Sequence, residues 1–214
     1  MTSGNSPRAA RELLIVPGLN GSGPGHWQRI WAEARDDATL VELGHWDAPV
    51  KSVWMTRIDQ AVRASVGRPL LVAHSLGCLA VAWWAAGAEP DVAARVAGAL
   101  LVAPPDVDQD DAHPLLRRFA PAPAAALPFP AILVASRDDP YAAFDRLAGL
   151  AGRWGASLHD AGAIGHINAQ SDLGRWSEGE ALVDRLAGQP PATPAPGINL
   201  AHFWAAIDGK DAGH

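Results

Sequence analysis

The chain has a single cysteine, Cys78, so it can form no internal disulfide, and nothing in its cysteine content calls for an oxidising compartment. Basic residues are also in deficit. Seventeen Lys and Arg stand against 23 Asp and Glu, a formal charge of −6, which lacks the cationic footprint used to hold a phosphate backbone. Nucleic acid is therefore not an expected partner. Long apolar runs are missing too: the longest, such as Cys78 to Ala86, fall far short of the roughly 20 residues that span a bilayer. Met1 to Arg11 is small and polar, without the charged start and apolar run of a secretory signal. A cytoplasmic protein without a membrane partner is expected, and these features leave its oligomeric state open.

What is present is apolar material in short pieces. Hydrophobic residues make up 49% of 214, enough to bury the core of one domain. Leu13 to Val16, Thr39 to Leu43, Leu70 to Ala73, Ala99 to Ala103 and Ala131 to Ala135, with a weaker run at Ser157 to Asp160, alternate with helix-like segments. That is the pattern of βαβ units. The runs are nearly continuous in apolar character, as strands covered on both faces should be. The expected fold class is therefore α/β, a mostly parallel six-stranded sheet with helices on both faces.

Val50, Val53, Trp54, Ile58, Ala61 and Val62 recur at helical spacing between Ala48 and Gly67, and Leu173, Trp176, Val183 and Leu186 suggest a closing helix. Pro104 to Pro130 holds seven prolines and an acidic cluster, Asp106 to Asp111. It reads as a loop with a short helix near Leu115 to Phe119, following a strand's carboxyl end, where open parallel sheets bind ligands. Residues 1–188 form the expected domain. Residues 189–214 read as a Pro-rich linker and a short C-terminal helical extension carrying Phe203 and Trp204.

The chemistry concentrates where Leu70-Leu71-Val72-Ala73 runs into His74-Ser75-Leu76-Gly77-Cys78, a buried strand entering a tight turn and then an apolar helix. This is the pattern of a nucleophile elbow, in which small residues must flank a serine held on a sharp turn. Ala73 stands where such elbows usually have glycine. Two other Ser-x-Gly matches, at Ser65 and Ser177, fall at or within predicted helices and lack this context.

A serine needs a base, and the base needs an orienting acid. Ser136-Arg137-Asp138-Asp139-Pro140-Tyr141 follows the fifth strand, and Gly165-His166-Ile167-Asn168 follows the sixth. Ser, Asp, His is the chain order of α/β-hydrolases. Extended backbone before Pro140 sends neighbouring side chains in opposite directions, so only one of Asp138 and Asp139 can face the histidine. Of the eight histidines, His166 is the expected base; His74 adjoins the serine but points away from it if strand alternation persists. Oxyanion donors are expected from the N–H of Leu76 and, in the glycine-rich loop Pro17 to Gly23, from that of Leu19. Asn20, Trp27 and His74 stand beside these elements and are the candidate substrate contacts. No cofactor is called for, and no metal-ligand spacing is present.

Taken together, Pro17-Gly18-Leu19-Asn20-Gly21-Ser22 with His26-Trp27, Ala73 to Cys78, Ser136 to Tyr141 and Gly165 to Asn168 resemble the small serine hydrolases of the RBBP9/YdeN type, within the α/β-hydrolase superfamily. The resemblance covers about residues 12 to 187 and implies a compact hydrolase without a large lid domain, with a triad of Ser75, Asp139 and His166. It places the acid immediately before the proline, which selects Asp139. The expected function is hydrolysis of a small carboxylic ester through an acyl-enzyme. A peptidase or amidase of the same mechanism, or a non-catalytic binding protein on a hydrolase scaffold, are the alternatives.

Overall fold

A strand covered on both faces must be apolar at every position, and four strands are buried along their whole length: β1 (Leu13–Val16), β3 (Leu70–His74), β4 (Gly98–Val102) and β5 (Ala131–Ala135). With β2 (Ala38–Leu40) and β6 (Ser157–Asp160) they form one parallel sheet in the order β2-β1-β3-β4-β5-β6. The helices are α1 (Trp27–Ala34), α2 (Lys51–Ala64), α3 (Leu76–Gly87), α4 (Pro90–Ala93), α5 (Pro114–Arg117), α6 (Phe144–Trp154) and α7 (Ser177–Ala187). The computed structural model describes residues 12–188; the extension expected over 189–214 lies outside them.

Alternation along each strand divides the core in two. Leu13, Ile15, Leu70, Val72, Leu100, Ile132 and Val134 meet α1 and α7 through Trp27, Trp31, Leu182 and Leu186. Leu14, Val16, Leu71, Ala73, Leu101 and Leu133 meet Trp54, Ile58, Leu79, Leu147 and Trp154 of α2, α3 and α6 on the other face. β6 is the exception. Among the described residues it pairs only with β5, and it is mostly exposed, which accounts for its weak apolar signal.

Several boundaries differ from expectation. β2 covers 38–40 rather than 39–43: β1 ends at Val16 because Pro17 has no N–H to contribute, so β2 loses its partner. Val41 and Leu43 remain buried, filling the core beside the ladder rather than extending it. Val50 is the residue before α2 and is exposed, so the buried stripe is Trp54, Ile58 and Val62. α7 begins after Trp176, whose backbone is left-handed at φ 47°, and whose indole lies where a Cβ at Gly179 would otherwise stand. Trp176 therefore packs with Trp27 and Trp31 as a cap on the helix rather than as part of it.

From β1 the chain goes outward to β2 and returns on the other side to β3, so the strand order reverses between β1 and β3. Crevices of open α/β sheets form at the carboxyl ends of strands at such a switch point. Gln28, on α1, ties this point together. Fully buried, its amide NH2 donates to Val16 O (3.2 Å) and Val72 O (3.0 Å), while its Oε1 accepts from Ser22 Oγ (2.7 Å). One side chain thus joins the ends of β1 and β3 to the loop between β1 and α1. Gln28→Leu leaves two buried carbonyls without this donor and should destabilise the fold by about 1–3 kcal/mol, read from urea unfolding. A midpoint equal to wild type would show that the bonds are replaced.

Candidate active site

β3 delivers Ser75 in a conformation that few non-glycine residues adopt, φ 52° and ψ −127°. Such a backbone costs on the order of 1–3 kcal/mol and persists only where its surroundings dictate it. They do so by contact. A Cβ at Gly77 would lie 2.6 Å from Val16 O and 2.5 Å from Pro17 O, and one at Gly18 would lie 2.8 Å from Ser75 Cβ. Only hydrogen fits at either position. The Ser75 N–H donates to Val102 O (2.9 Å), fastening the turn to β4. Ala73, in place of glycine, turns its methyl into the core with α2 and α3.

At the same edge, the loop after β5 brings Asp139 and the loop after β6 brings His166. His166 Nδ1 lies 3.0 Å and 2.9 Å from the two oxygens of Asp139, and its Nε2 lies 2.9 Å from Ser75 Oγ. With Nδ1–H donating to the carboxylate, Nε2 is left to accept the serine hydroxyl. All three residues are at least nine-tenths buried. Asp139 Oδ1 also accepts from Tyr141 N (2.9 Å), and the Tyr141 ring packs 4.5 Å from that of His166.

Asp138 faces elsewhere. Its Oδ1 accepts from Ser136 Oγ and from Gly165 N, both at 2.7 Å, so it ties the β5 loop to the residue before His166. Those bonds hold its carboxyl below the usual carboxylate range. Cys78, one turn beyond the serine, is fully buried, and burial pushes its thiol up, so it offers no competing thiolate.

The cavity over Ser75 measures about 560 Å³. Leu19 and Asn20 from the β1 loop, His113 and Leu116 from the 104–130 segment, Tyr141, and Asn168 with Gln170 from the loop after His166 line it. The proline-rich segment thus forms one wall, carrying α5 at 114–117 rather than 115–119. Gly18 against Ser75 places Leu19 beside the elbow, and the next two amides are engaged elsewhere: Asn20 N donates to Trp46 O (2.7 Å) and Gly21 N to Gly18 O (3.0 Å).

Two of the three candidate substrate contacts hydrogen-bond to the loop that carries His166. Trp27 is fully buried and its indole N–H donates to Ile167 O (2.8 Å). His74 Nε2 donates to His166 O (2.9 Å) while its ring reaches the cavity lining. Both grip the backbone of that loop, His74 from β3 and Trp27 from α1. Asn20 and His74 line the cavity, and Trp27 does not. Sequence reasoning missed His26, His113, Tyr141, Asn168 and Gln170 as lining residues; His26, Tyr141 and Asn168 lay within motifs already singled out.

A parallel sheet with this elbow and these strand-end loops defines an α/β-hydrolase. The profile of the Serine hydrolase family matches residues 13–185, and the chain belongs to that family. A protein from Pectobacterium atrosepticum assigned as a YdeN-like hydrolase is similar in structure, with 27% identity over 83% of this chain and 90% of its own, at a TM-score of 0.72. The ydeN gene product of B. subtilis shares the fold at 18% identity, covering 84% of this chain and 100% of its own, with a TM-score of 0.62. Est1E from Butyrivibrio proteoclasticus, solved with ferulic acid bound, does so at 13% identity over 86% and 92%, with a TM-score of 0.61. No curated protein matches the chain. Among the described residues no helix is long and apolar enough to cross a membrane, and no group of three or more His, Cys, Asp or Glu is set to hold a metal ion.

Two further histidines crowd the site. His26 and His74 pack edge to face at 4.7 Å, and His74 lies 4.9 Å from His166. Burial, reinforced by His166, pushes His26 down to about 4; burial, with His166 and His26, also holds His74 well below the usual range. Both are neutral in the folded and unfolded chain above about pH 6.5. Below that the unfolded chain takes up protons that the folded chain refuses, so stability falls with pH, for His26 until about 4. At about 1.4 kcal/mol per unit, going from pH 7.5 to 5.0 should cost about 2 kcal/mol for His26 alone. Urea unfolding at both pH values checks this, and His26→Asn should lose less on acidification than wild type.

Proposed function

We propose that this hydrolase cleaves small carboxylic esters by acyl transfer to Ser75. The observation that carries the reading is the continuous chain of contacts from Ser75 Oγ through His166 to Asp139, each at 2.9–3.0 Å, at the floor of the cavity. Ser75 Oγ attacks the acyl carbon while its proton passes to His166 Nε2. Asp139 holds the imidazole in the required tautomer and stabilises the imidazolium. The carbonyl oxygen gains negative charge between the N–H groups of Leu76 and Leu19. Collapse breaks the bond to the leaving alcohol, which takes the proton from His166. Water then attacks the acyl-Ser75 as His166 takes its proton; the bond from the acyl carbon to Oγ breaks, His166 returns the proton to Ser75 Oγ, and a carboxylic acid leaves.

A cavity of about 560 Å³ sits within the range of small-molecule sites, and its mixed amide, imidazole and aliphatic lining suits a modest acyl group better than a long alkyl chain. An amide substrate meets the same triad; ester turnover with no amide turnover separates the two readings.

A fluorophosphonate should label Ser75 stoichiometrically, located by peptide mass spectrometry, and Ser75→Ala should abolish both label and ester turnover. Label on another serine of the folded protein refutes the assignment. Asp139→Asn should lower turnover about 10³–10⁴-fold with the fold intact by circular dichroism, since the amide favours the wrong tautomer. Asp138→Asn should lower it only about tenfold, through the loop that carries Gly165. The reverse ranking would move the acid to Asp138.

A further inference from the structure

His26 has a backbone task that fixes its chemistry. It is the N-cap of α1, and its Nδ1 accepts the N–H of Gln28 at 3.1 Å. An imidazole whose Nδ1 is an acceptor carries its proton on Nε2. That Nε2–H is buried and has no hydrogen-bond partner among the described residues, although His26 lines the cavity that contains Ser75. A buried donor without a partner costs about 1–3 kcal/mol, and an acceptor on a bound molecule would recover it.

The second wall repeats the device. His113 caps α5, with Nδ1 accepting Leu115 N at 3.2 Å, which leaves its Nε2 as the donor of a residue that lines the cavity. Among the described residues, no Lys, Arg, Asp or Glu lines the cavity. A substrate carboxylate or ammonium would therefore be desolvated there without a counter-ion.

We propose that His26 Nε2–H donates to an acceptor oxygen in the substrate other than the scissile carbonyl, and that the site thereby selects uncharged esters carrying an ether, hydroxyl or carbonyl oxygen within a few bonds of the scissile group. This rests on the hydrolase reading above and names the substrate class of the same site. Burial keeps His26 neutral and a fixed donor well below neutrality. A site built around such a donor discriminates against an analogue that lacks the acceptor, because the donor is then left unpaired.

The test uses isosteric pairs in which one CH2 becomes oxygen: 4-nitrophenyl butyrate against 4-nitrophenyl methoxyacetate for the acyl side, and butyl against 2-methoxyethyl butyrate for the alcohol side. Each kcat/KM ratio is divided by the ratio for hydroxide-catalysed hydrolysis, which removes intrinsic reactivity. The wild type should favour the oxygen-bearing member of at least one pair by about five- to tenfold, mainly in KM. His26→Asn keeps an N-cap oxygen for Gln28 N but is too short to place the donor, and should bring that ratio to about one. A general loss of catalysis cancels in the ratio. Turnover of 4-nitrophenyl hemisuccinate should be at least about tenfold below that of the butyrate. Equal normalised ratios in the wild type, or a preference kept in His26→Asn, overturns the role of His26; hemisuccinate turned over as fast as butyrate overturns the selection for uncharged substrates. Failure of the hydrolase reading looks different, since no ester would then turn over and Ser75 would take no fluorophosphonate.

Discussion

Everything at the working edge of this protein depends on how closely the end of β1 approaches the turn after β3. Residue 77 stands less than 3 Å, by way of a hypothetical Cβ, from the carbonyls of Val16 and Pro17, and residue 18 is equally tight against Ser75. The two glycines let the strands close to that distance. Closure in turn holds the serine in its left-handed conformation and sets the Leu19 loop beside the first turn of α3. The strain at Ser75 is thus supported by the sheet together with the start of the loop that leaves β1, since Pro17 and Gly18 press on the turn, β1 and β4 flank β3, and the Ser75 amide is bonded to β4. Rigid elements hold a reactive geometry more tightly than loops do.

The histidine has the opposite problem, because it sits on a loop after an exposed edge strand. Its backbone is therefore fastened from three directions: His74 and Trp27 donate to the carbonyls of 166 and 167, and Asp138 receives the amide of 165. Tryptophan does similar work across the molecule. The indoles of Trp27, Trp31, Trp54, Trp83 and Trp154 each donate to a backbone carbonyl in a loop or at an element's end. A large apolar body anchored in the core with one polar tip suits that task. These five tryptophans thus pin connections to the core.

The sheet was readable in sequence because burial on both faces leaves a continuous apolar run that little else produces in five residues. The elbow and the two following loops were readable because their order along the chain repeats their order across the sheet. Less legible were features set by how elements dock. Val41 and Leu43 are apolar like strand residues, yet they fill space beside a ladder that Pro17 has ended. Trp176 has the spacing of a helical residue but turns back over Gly179. Asp139 and Asp138 differ only in which way a short loop turns them, and spacing alone does not choose between them. His74 and Trp27 stand close to the serine in sequence or motif, but their ring N–H groups reach the histidine loop, His74 from β3 and Trp27 from α1. Gln28 gave no signal at all, since a glutamine on a helix is ordinarily a surface residue.

The two edges of the sheet carry one more consequence, for behaviour at high concentration. β2 spans three residues, and β6 spans four with its side chains largely in solvent, among them Asp160 paired with Arg137 and His159 paired with Glu178. An open strand edge is a template on which another chain can add a strand, and short or charged edges blunt that growth. The apolar strands that would aggregate most readily, β3, β4 and β5, each have a neighbour on both sides. Within the described domain, colloidal stability therefore rests on the order in which the strands were laid down, with the stickiest segments in the middle and the shortest and most polar at the margins.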